Sequence, residues 1–317
     1  MVTVDGMNYV DIQVNGYAGV TFHGAPLTRP QIRHVAERLR AGRVRAILPA
    51  ITTHDPAHMA LSLRTMRELI DEEADLRQLM PAFHIEGPCL SPKEGYRGAH
   101  DPQYIRPASR EVLEPLLEAA GGPARVAMVT LAPEVDRGLA ATRWLAELGI
   151  IVCAGHTDVP LSLLREAEHA GLRFCTHLGN GTAATMDRHD NVIQRLMSLE
   201  SIKFALIPDG HHLPFFVVRN WIRWLGLERC IFTTDCTVAA DAPNEFDIDP
   251  RFELDRSGDT PVIRLKGTPY LAGAALTMAQ GHANAVAHIG LTQAEATALC
   301  CDQPAALIEP WLAGGNS

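Results

Sequence analysis

Ile150-Ile-Val-Cys-Ala-Gly-His-Thr-Asp158, a helix-patterned run over residues 160–170, and Arg173-Phe-Cys-Thr-His177 decide the fold. Two short apolar runs flank one helical segment, and strand, helix, strand in that order is a right-handed parallel βαβ unit. Each strand delivers a histidine at its end.

The same alternation extends in both directions. Upstream, Tyr9-Val-Asp-Ile-Gln-Val14 alternates into strand one and closes on Asn15-Gly16. Thr28 then caps a helix, with Gln31 at capping-box spacing, Pro30 in the first turn and Gly42 as the stop. A buried strand over 45–51 leads to Asp55-Pro56 and a helix carrying Met59, Leu63, Met66 and Ile70, which the acidic stretch 71–75 ends. Strands follow at 80–85 and 125–131, with helices at 109–119 and 136–148. Downstream come a helix over 191–199, a strand over 202–207, a helix over 214–225 and a strand over 230–234. Eight strands with helices between them predict a closed (β/α)8 TIM barrel, one domain over residues 1–317. An open doubly wound sheet would carry a glycine-rich turn after strand one, and Gln13-Val-Asn-Gly-Tyr-Ala-Gly19 matches that poorly. Past Asp235 the pattern changes, and residues 241–269 read as a hairpin or long loop over the barrel mouth. Leu271-Ala-Gly-Ala-Ala-Leu-Thr-Met278 enters a helix, and another runs over 292–301.

Composition bounds the function. The 317 residues are 47% hydrophobic, yet no apolar run approaches the roughly 20 residues that span a bilayer, and no signal-peptide pattern opens the chain. Seven cysteines without paired spacing suit a reducing compartment. The expected location is cytoplasmic. A net charge of -9 argues against nucleic acid or an anionic membrane as the main partner, and an anionic substrate would have to be held by local cations.

In a parallel barrel the active site forms where the strands end. Glu86, His156, His177, His212 and Asp235 fall at the ends of strands three, five, six, seven and eight. One such residue alone would read as a cap, as Asp55 and Asp158 do; five at corresponding positions read as a site. Glu86, His156 and His177 make the carboxylate-plus-two-imidazole set of a catalytic zinc with an open position. Asp235 would be the nearby base. His84, two residues before Glu86, reads as a hydrogen-bonded core histidine, and of the adjacent pair His212 is expected to face the pocket while His211 belongs to the loop.

With these residues in place the sequence resembles the amidohydrolase superfamily, and within it the N-acetylglucosamine-6-phosphate deacetylases. The resemblance runs through Asp11-Ile-Gln-Val-Asn-Gly16, His84-Ile-Glu-Gly-Pro88, Gly98-Ala-His-Asp-Pro102, Val129-Thr-Leu-Ala-Pro-Glu134, Ala154-Gly-His156, Thr176-His-Leu178, Asp209-Gly-His-His212, Thr234-Asp235 and Leu271 to Met278. It implies Glu86, His156 and His177 as metal ligands, Asp235 as catalytic acid/base and His100 as a group polarising the acetamide carbonyl. It further implies that Asn180, Gly181, Arg188, His212, Leu271 and Ala272 bind the substrate, the arginine reaching in from a neighbouring subunit of a homodimer.

Three departures qualify the resemblance. Strand one carries Gln13 and Asn15 where many superfamily members carry two histidines, so one divalent metal per chain is expected, zinc first, with iron, manganese and cobalt as alternatives. The stretches Gly179-Asn-Gly-Thr182 and His189-Asp-Asn191 differ from the family in the loop that chooses the substrate. The accessory β-sandwich of the family is expected to be largely missing. The expected activity is metal-dependent hydrolysis of the acetamide of an N-acetylated amino sugar such as N-acetylglucosamine 6-phosphate. The alternatives are an unphosphorylated acylamino sugar or cyclic amide as substrate, or a non-catalytic binding module.

Overall fold

Alternating short apolar runs and amphipathic segments give an eight-stranded parallel barrel in the computed structural model, which describes residues 8–23, 27–257 and 261–314. The strands are β1 (Tyr9–Val14), β2 (Val44–Thr52), β3 (Phe83–Glu86), β4 (Val126–Leu131), β5 (Ile151–Ala154), β6 (Leu172–Cys175), β7 (Lys203–Leu206) and β8 (Cys230–Phe232). Each pairs in parallel with the next in sequence. Closure falls between β1 and the residues after β8, where Val14 and Cys236 form a parallel bridge and Asn15 N–H donates to the Cys236 carbonyl at 2.7 Å.

Side chains on the two faces of the strands build two cores. Outward-facing residues such as Ile47, Val129, Val152 and Phe204 pack under the helices, whose buried faces repeat at helical spacing, as with Met59, Leu63, Met66 and Ile70 on the helix Pro56–Asp71. Inward-facing Val10, Ile12, Leu48, Met128, Cys153, Phe174 and Ile231 fill the barrel, and Ile308 closes it from below with Trp311 and Leu312 packed alongside. The interior is therefore solid, and the C-terminal strand ends are the open face.

Helix starts obey local chemistry. Gln31 Oε1 accepts from Thr28 N–H at 2.9 Å, and Asp55 accepts from Ala57 N–H at 2.9 Å. The fifth helix begins at Ala140 rather than at the expected Asp136, because the Asp136 carboxylate reaches forward to Ala141 N–H, Thr142 N–H and Thr142 Oγ1 at 3.1, 2.8 and 2.7 Å. Asp158, read as a cap, is not one: its helix starts at Leu161, and its carboxylate takes Lys93 Nζ at 2.7 Å and Arg195 Nη1 at 3.4 Å instead. The acidic stretch after Ile70 holds a further short helix, Ala74–Leu79, anchored by buried Leu76 and Leu79.

The segment over the mouth is a three-stranded antiparallel sheet, β9 (Phe252–Asp255), β10 (Val262–Leu265) and β11 (Leu271–Ala274). Its third strand occupies residues expected to lead into a helix, and that helix starts only at Met278. Ala274 bridges to Cys236, so β11 ties the strap to the end of the barrel. No helix among the described residues is long and apolar enough to cross a membrane.

Barrel closure also buries a charge. Asp11 on β1 accepts from Thr233 Oγ1, Thr234 Oγ1, Thr234 N–H and Gln13 N–H at 2.6, 2.5, 3.2 and 3.3 Å. Burial still pushes its pKa up to about 6. The folded state then holds this proton more tightly than the unfolded chain, whose value is about 3.9. The stabilisation is complete below about pH 4 and is lost as pH rises through about 6, an effect of about 3 kcal/mol. In urea titrations of metal-free protein, the unfolding free energy of wild type minus that of Asp11→Asn is expected to fall by about that amount between pH 4 and 7; a flat difference overturns the prediction.

Candidate active site

Glu86 ends β3 and stands at the centre of a cluster of side chains on the open face. Its Oε1 lies 2.7 Å from His177 Nε2 and 3.2 Å from His156 Nε2. His100, from the loop after β3, brings its Nε2 to 3.2 Å from His156 Nε2. The donor atoms of Glu86, His100 and His156 all lie within 4.8 Å of one another. Two triads therefore share Glu86 and His156, one completed by His177 and the other by His100. Nδ1 of His156 donates to the Tyr96 carbonyl at 3.0 Å, the usual support of a ligating imidazole, and this holds Nε2 toward Glu86 and His100. The donor set, one carboxylate and convergent imidazole nitrogens, fits a divalent transition metal.

Electrostatics match that chemistry. Burial opposes ionisation of Glu86, yet hydrogen bonds and charge from His156 and His177 hold its pKa well below the usual carboxylate range. Burial likewise opposes protonation of His177, and Glu86 outweighs it to raise the imidazole pKa. Burial, helped by His156, pushes His100 down to about 3, so it is neutral at working pH.

Asp235 follows β8 and is buried beside this cluster. Its Oδ1 accepts from Asn15 Nδ2 at 2.7 Å and from Gln13 Nε2 at 3.0 Å, and Asn180 Nδ2 approaches Oδ2 at 3.5 Å. Burial and the nearby Glu86 charge raise its pKa, while His177, His212 and Asn15 pull the other way. A carboxylate so placed is suited to accept a proton and return it. Gln13 Nε2 also donates to Glu86 Oε2 at 3.0 Å, while its Oε1 accepts from Thr176 Oγ1 at 2.5 Å. The strand-one amides thus face both carboxylates as donors. Their role as a clamp was invisible in the sequence, where they registered only as poor ligands.

Backbone conformation does the aiming. His156, His177 and Asp235 have φ of 50°, 29° and 50°, a region that non-glycine residues seldom occupy. Each turns sharply out of its strand, which points the side chain across the barrel mouth. Gly181 fits against this arrangement for the same reason: its φ is 58°, and a Cβ there would run into His156 Nδ1. His84 lies one layer down, donating from Nδ1 to the Ile12 carbonyl at 3.0 Å and accepting from Thr130 Oγ1 at 2.8 Å.

The site opens into a cavity of about 460 Å³ whose walls include Asn15, Glu86, His100, His156, Asn180 and Asp235. No protein-family model matches the chain. An N-acetylglucosamine-6-phosphate deacetylase of Haemophilus influenzae is 27% identical over 305 residues, 95% of this chain and 76% of that protein. One from Bacillus subtilis is 31% identical over 228 residues, 71% of this chain and 56% of the relative. Among solved structures, an N-acetyl-D-glucosamine-6-phosphate deacetylase of Mycobacterium smegmatis in complex with N-acetyl-D-glucosamine-6-phosphate superposes with a TM-score of 0.81 and 26% identity, covering 96% of this chain and 77% of that one. The Pasteurella multocida deacetylase superposes with a TM-score of 0.78 at 26% identity, covering 96% and 76%. The chain belongs to the N-acetylglucosamine-6-phosphate deacetylase-like amidohydrolases.

Within this deacetylase-like barrel the residues assigned to substrate by resemblance separate. Asn180, Leu271 and Ala272 line the cavity. Gly181 is buried next to His156, and its N–H donates to Asn180 Oδ1 at 3.0 Å. His212 is buried behind Asp209, donating from Nδ1 at 2.6 Å, and its Nε2 is buried without a partner. His211 is exposed, as expected of the loop residue of that pair. Arg188 is exposed and outside the cavity lining. The sequence reading missed a further wall of the cavity, formed by His23, His54 and Arg251. These residues sit on loops and the strap, where no periodic pattern marks them.

Proposed function

We propose that this chain hydrolyses the acetamide of N-acetylglucosamine 6-phosphate, releasing acetate and the free amino sugar. The observation that carries the reading is the convergence of Glu86, His156, His177 and Asp235 at one barrel mouth, in a fold shared with deacetylases bearing that substrate's name. The two alternatives raised by the sequence have no comparable support.

Glu86, His156 and His177 would hold one divalent metal, with zinc first among the candidates. Such an ion supplies an activated water and polarises a bound carbonyl. Gln13 and Asn15 support a single ion, since they turn amide N–H groups toward Glu86 and Asp235 where a second cation would need lone pairs. Asp235 takes a proton from the attacking water and delivers it to the leaving nitrogen. His100 donates a hydrogen bond to the carbonyl oxygen as negative charge develops there. Asn180, which lines the cavity with Asp235, would hold the departing sugar phosphate, whereas His212, expected to face the pocket, is buried against Asp209 and lies outside the lining. Arg188 is exposed outside its own cavity; by the family resemblance it would serve the neighbouring copy of a homodimer, where a guanidinium would meet the phosphate in two parallel bonds.

With divalent metal supplied, kcat/KM for N-acetylglucosamine 6-phosphate is expected to exceed that for N-acetylglucosamine by about 10²-fold or more, since each charge-assisted hydrogen bond to phosphate contributes about 1.5–3 kcal/mol. Equal rates overturn the phosphate assignment, and release of acetate from neither sugar overturns the deacetylase reading.

A further inference from the structure

Glu134 ends the stretch Val129-Thr-Leu-Ala-Pro-Glu134 and lies outside the cavity lining. Leu131, the last residue of β4, pairs with Ala154, the last of β5. The single 3₁₀ turn Pro133–Val135, which carries Glu134, therefore stands beside the residues that leave β5. Both oxygens of the carboxylate are engaged there. Oε2 accepts from Thr157 Oγ1, and Oε1 accepts from Asp158 N–H at 2.7 Å. Thr157 Oγ1 accepts in turn from Val159 N–H at 3.1 Å. Thr157 is buried, so water is no substitute for the glutamate.

These contacts grip the two residues that follow His156. Its φ of 50° is a conformation that persists only where the surroundings impose it. Ser91 N–H donates to the His156 carbonyl at 2.9 Å, and the Tyr96 carbonyl accepts from the ring Nδ1 at 3.0 Å. Both belong to the loop after β3, which Lys93 also fastens to Asp158 at 2.7 Å. Glu134 reaches in from the loop after β4 and fixes the exit of the chain. Tyr96 thus sets the rotation of the ring, and Glu134 the backbone turn that carries it to 3.2 Å from Glu86. Without the glutamate, Thr157 Oγ1 and Asp158 N–H lose their acceptor, and the turn at His156 is free to relax toward negative φ.

We propose that Glu134 is a positioning residue for the metal centre, acting through His156: the two hydrogen bonds it accepts hold the left-handed turn that aims the imidazole at Glu86. The proposal rests on Glu86, His156 and His177 as the metal ligands. The test measures zinc affinity of folded, metal-free protein by competition with a chromogenic chelator. Glu134→Ala is expected to weaken zinc binding by about 10- to 100-fold, the usual effect of removing a group that orients a ligand. Glu134→Gln keeps an oxygen for Asp158 N–H and turns an amide N–H toward Thr157 Oγ1, and is expected to stay within a few-fold of wild type. A purely structural role is gauged by Asp136→Asn, which weakens the clamp of Asp136 on Ala141 and Thr142; it is expected to lower Tm and leave zinc affinity unchanged. Wild-type affinity in Glu134→Ala, an equal loss in Glu134→Gln, or an equal loss in Asp136→Asn overturns the positioning role. Should Glu134→Ala fail to fold, Thr157→Val deletes one of the two bonds and is expected to bind zinc several-fold more weakly; wild-type affinity there overturns the proposal. No zinc bound by wild type, or unchanged affinity in His156→Asn, overturns the ligand assignment beneath it, and the positioning role with it.

Discussion

Asp235→Asn is expected to lower kcat by roughly 10²- to 10⁴-fold while metal content stays at the wild-type level. The substitution is close to isosteric and leaves the surroundings intact. Asparagine at 235 keeps an oxygen for Asn15 Nδ2 and Gln13 Nε2, the two close donors. Its amide nitrogen replaces Oδ2, which Asn180 Nδ2 approaches only to 3.5 Å. What disappears is the capacity to carry a proton between water and the leaving nitrogen. Measuring kcat at saturating N-acetylglucosamine 6-phosphate and metal by elemental analysis on the same sample separates chemistry from binding. Wild-type turnover in this variant would remove Asp235 from the mechanism, and lost metal would make it a ligand.

The second large effect distinguishes the two triads that share Glu86 and His156. With His177 as third ligand, His177→Asn is expected to lose the metal and with it turnover, since a structural or catalytic ion needs its full protein set. His100→Asn is then expected to keep the metal and to lose about 10²- to 10³-fold in kcat, the usual effect of removing one donor to a developing oxyanion. The geometry supports this order: His177 leaves the end of β6 with φ of 29° and reaches within 2.7 Å of Glu86, whereas His100 comes from a loop, lies 3.2 Å from His156 and stands within 4.8 Å of the Glu86 carboxylate. The reverse outcome, metal lost in His100→Asn and kept in His177→Asn, would assign the ion to Glu86, His100 and His156.

Much of the barrel was legible because its signals are local. The capping box at Thr28 and Gln31 and the four-residue rhythm of Met59, Leu63, Met66 and Ile70 are read within one or two turns of chain. So is the placement of chemistry at strand ends, since a parallel barrel exposes only those. Where local signals conflict with distant contacts the reading slipped. Asp158 looks like a cap but is drawn to Lys93 and Arg195, and residues 271–274, which looked like the approach to a helix, pair as a strand with β10.

By itself the sequence determined the order of strands and helices, which residue types stand at the open ends, and that strand one contributes amides in place of histidines. Tertiary structure alone decided how those groups meet. The pairing of β1 with β2 shifts register between Asp11 and Val14, and through that slip Ile12 fills the barrel while the next residue, Gln13, joins Glu86 and Asp235. His156, His177 and Asp235 take backbone angles that local preference disfavours. The wall of His23, His54 and Arg251 is gathered from three separate loops. The physical reason is range. Helix and strand patterns express interactions between near neighbours in the chain, whereas the site is held by contacts such as Gln13 with Glu86 and with Asp235, 73 and 222 residues apart, whose strength exists only after the barrel has closed.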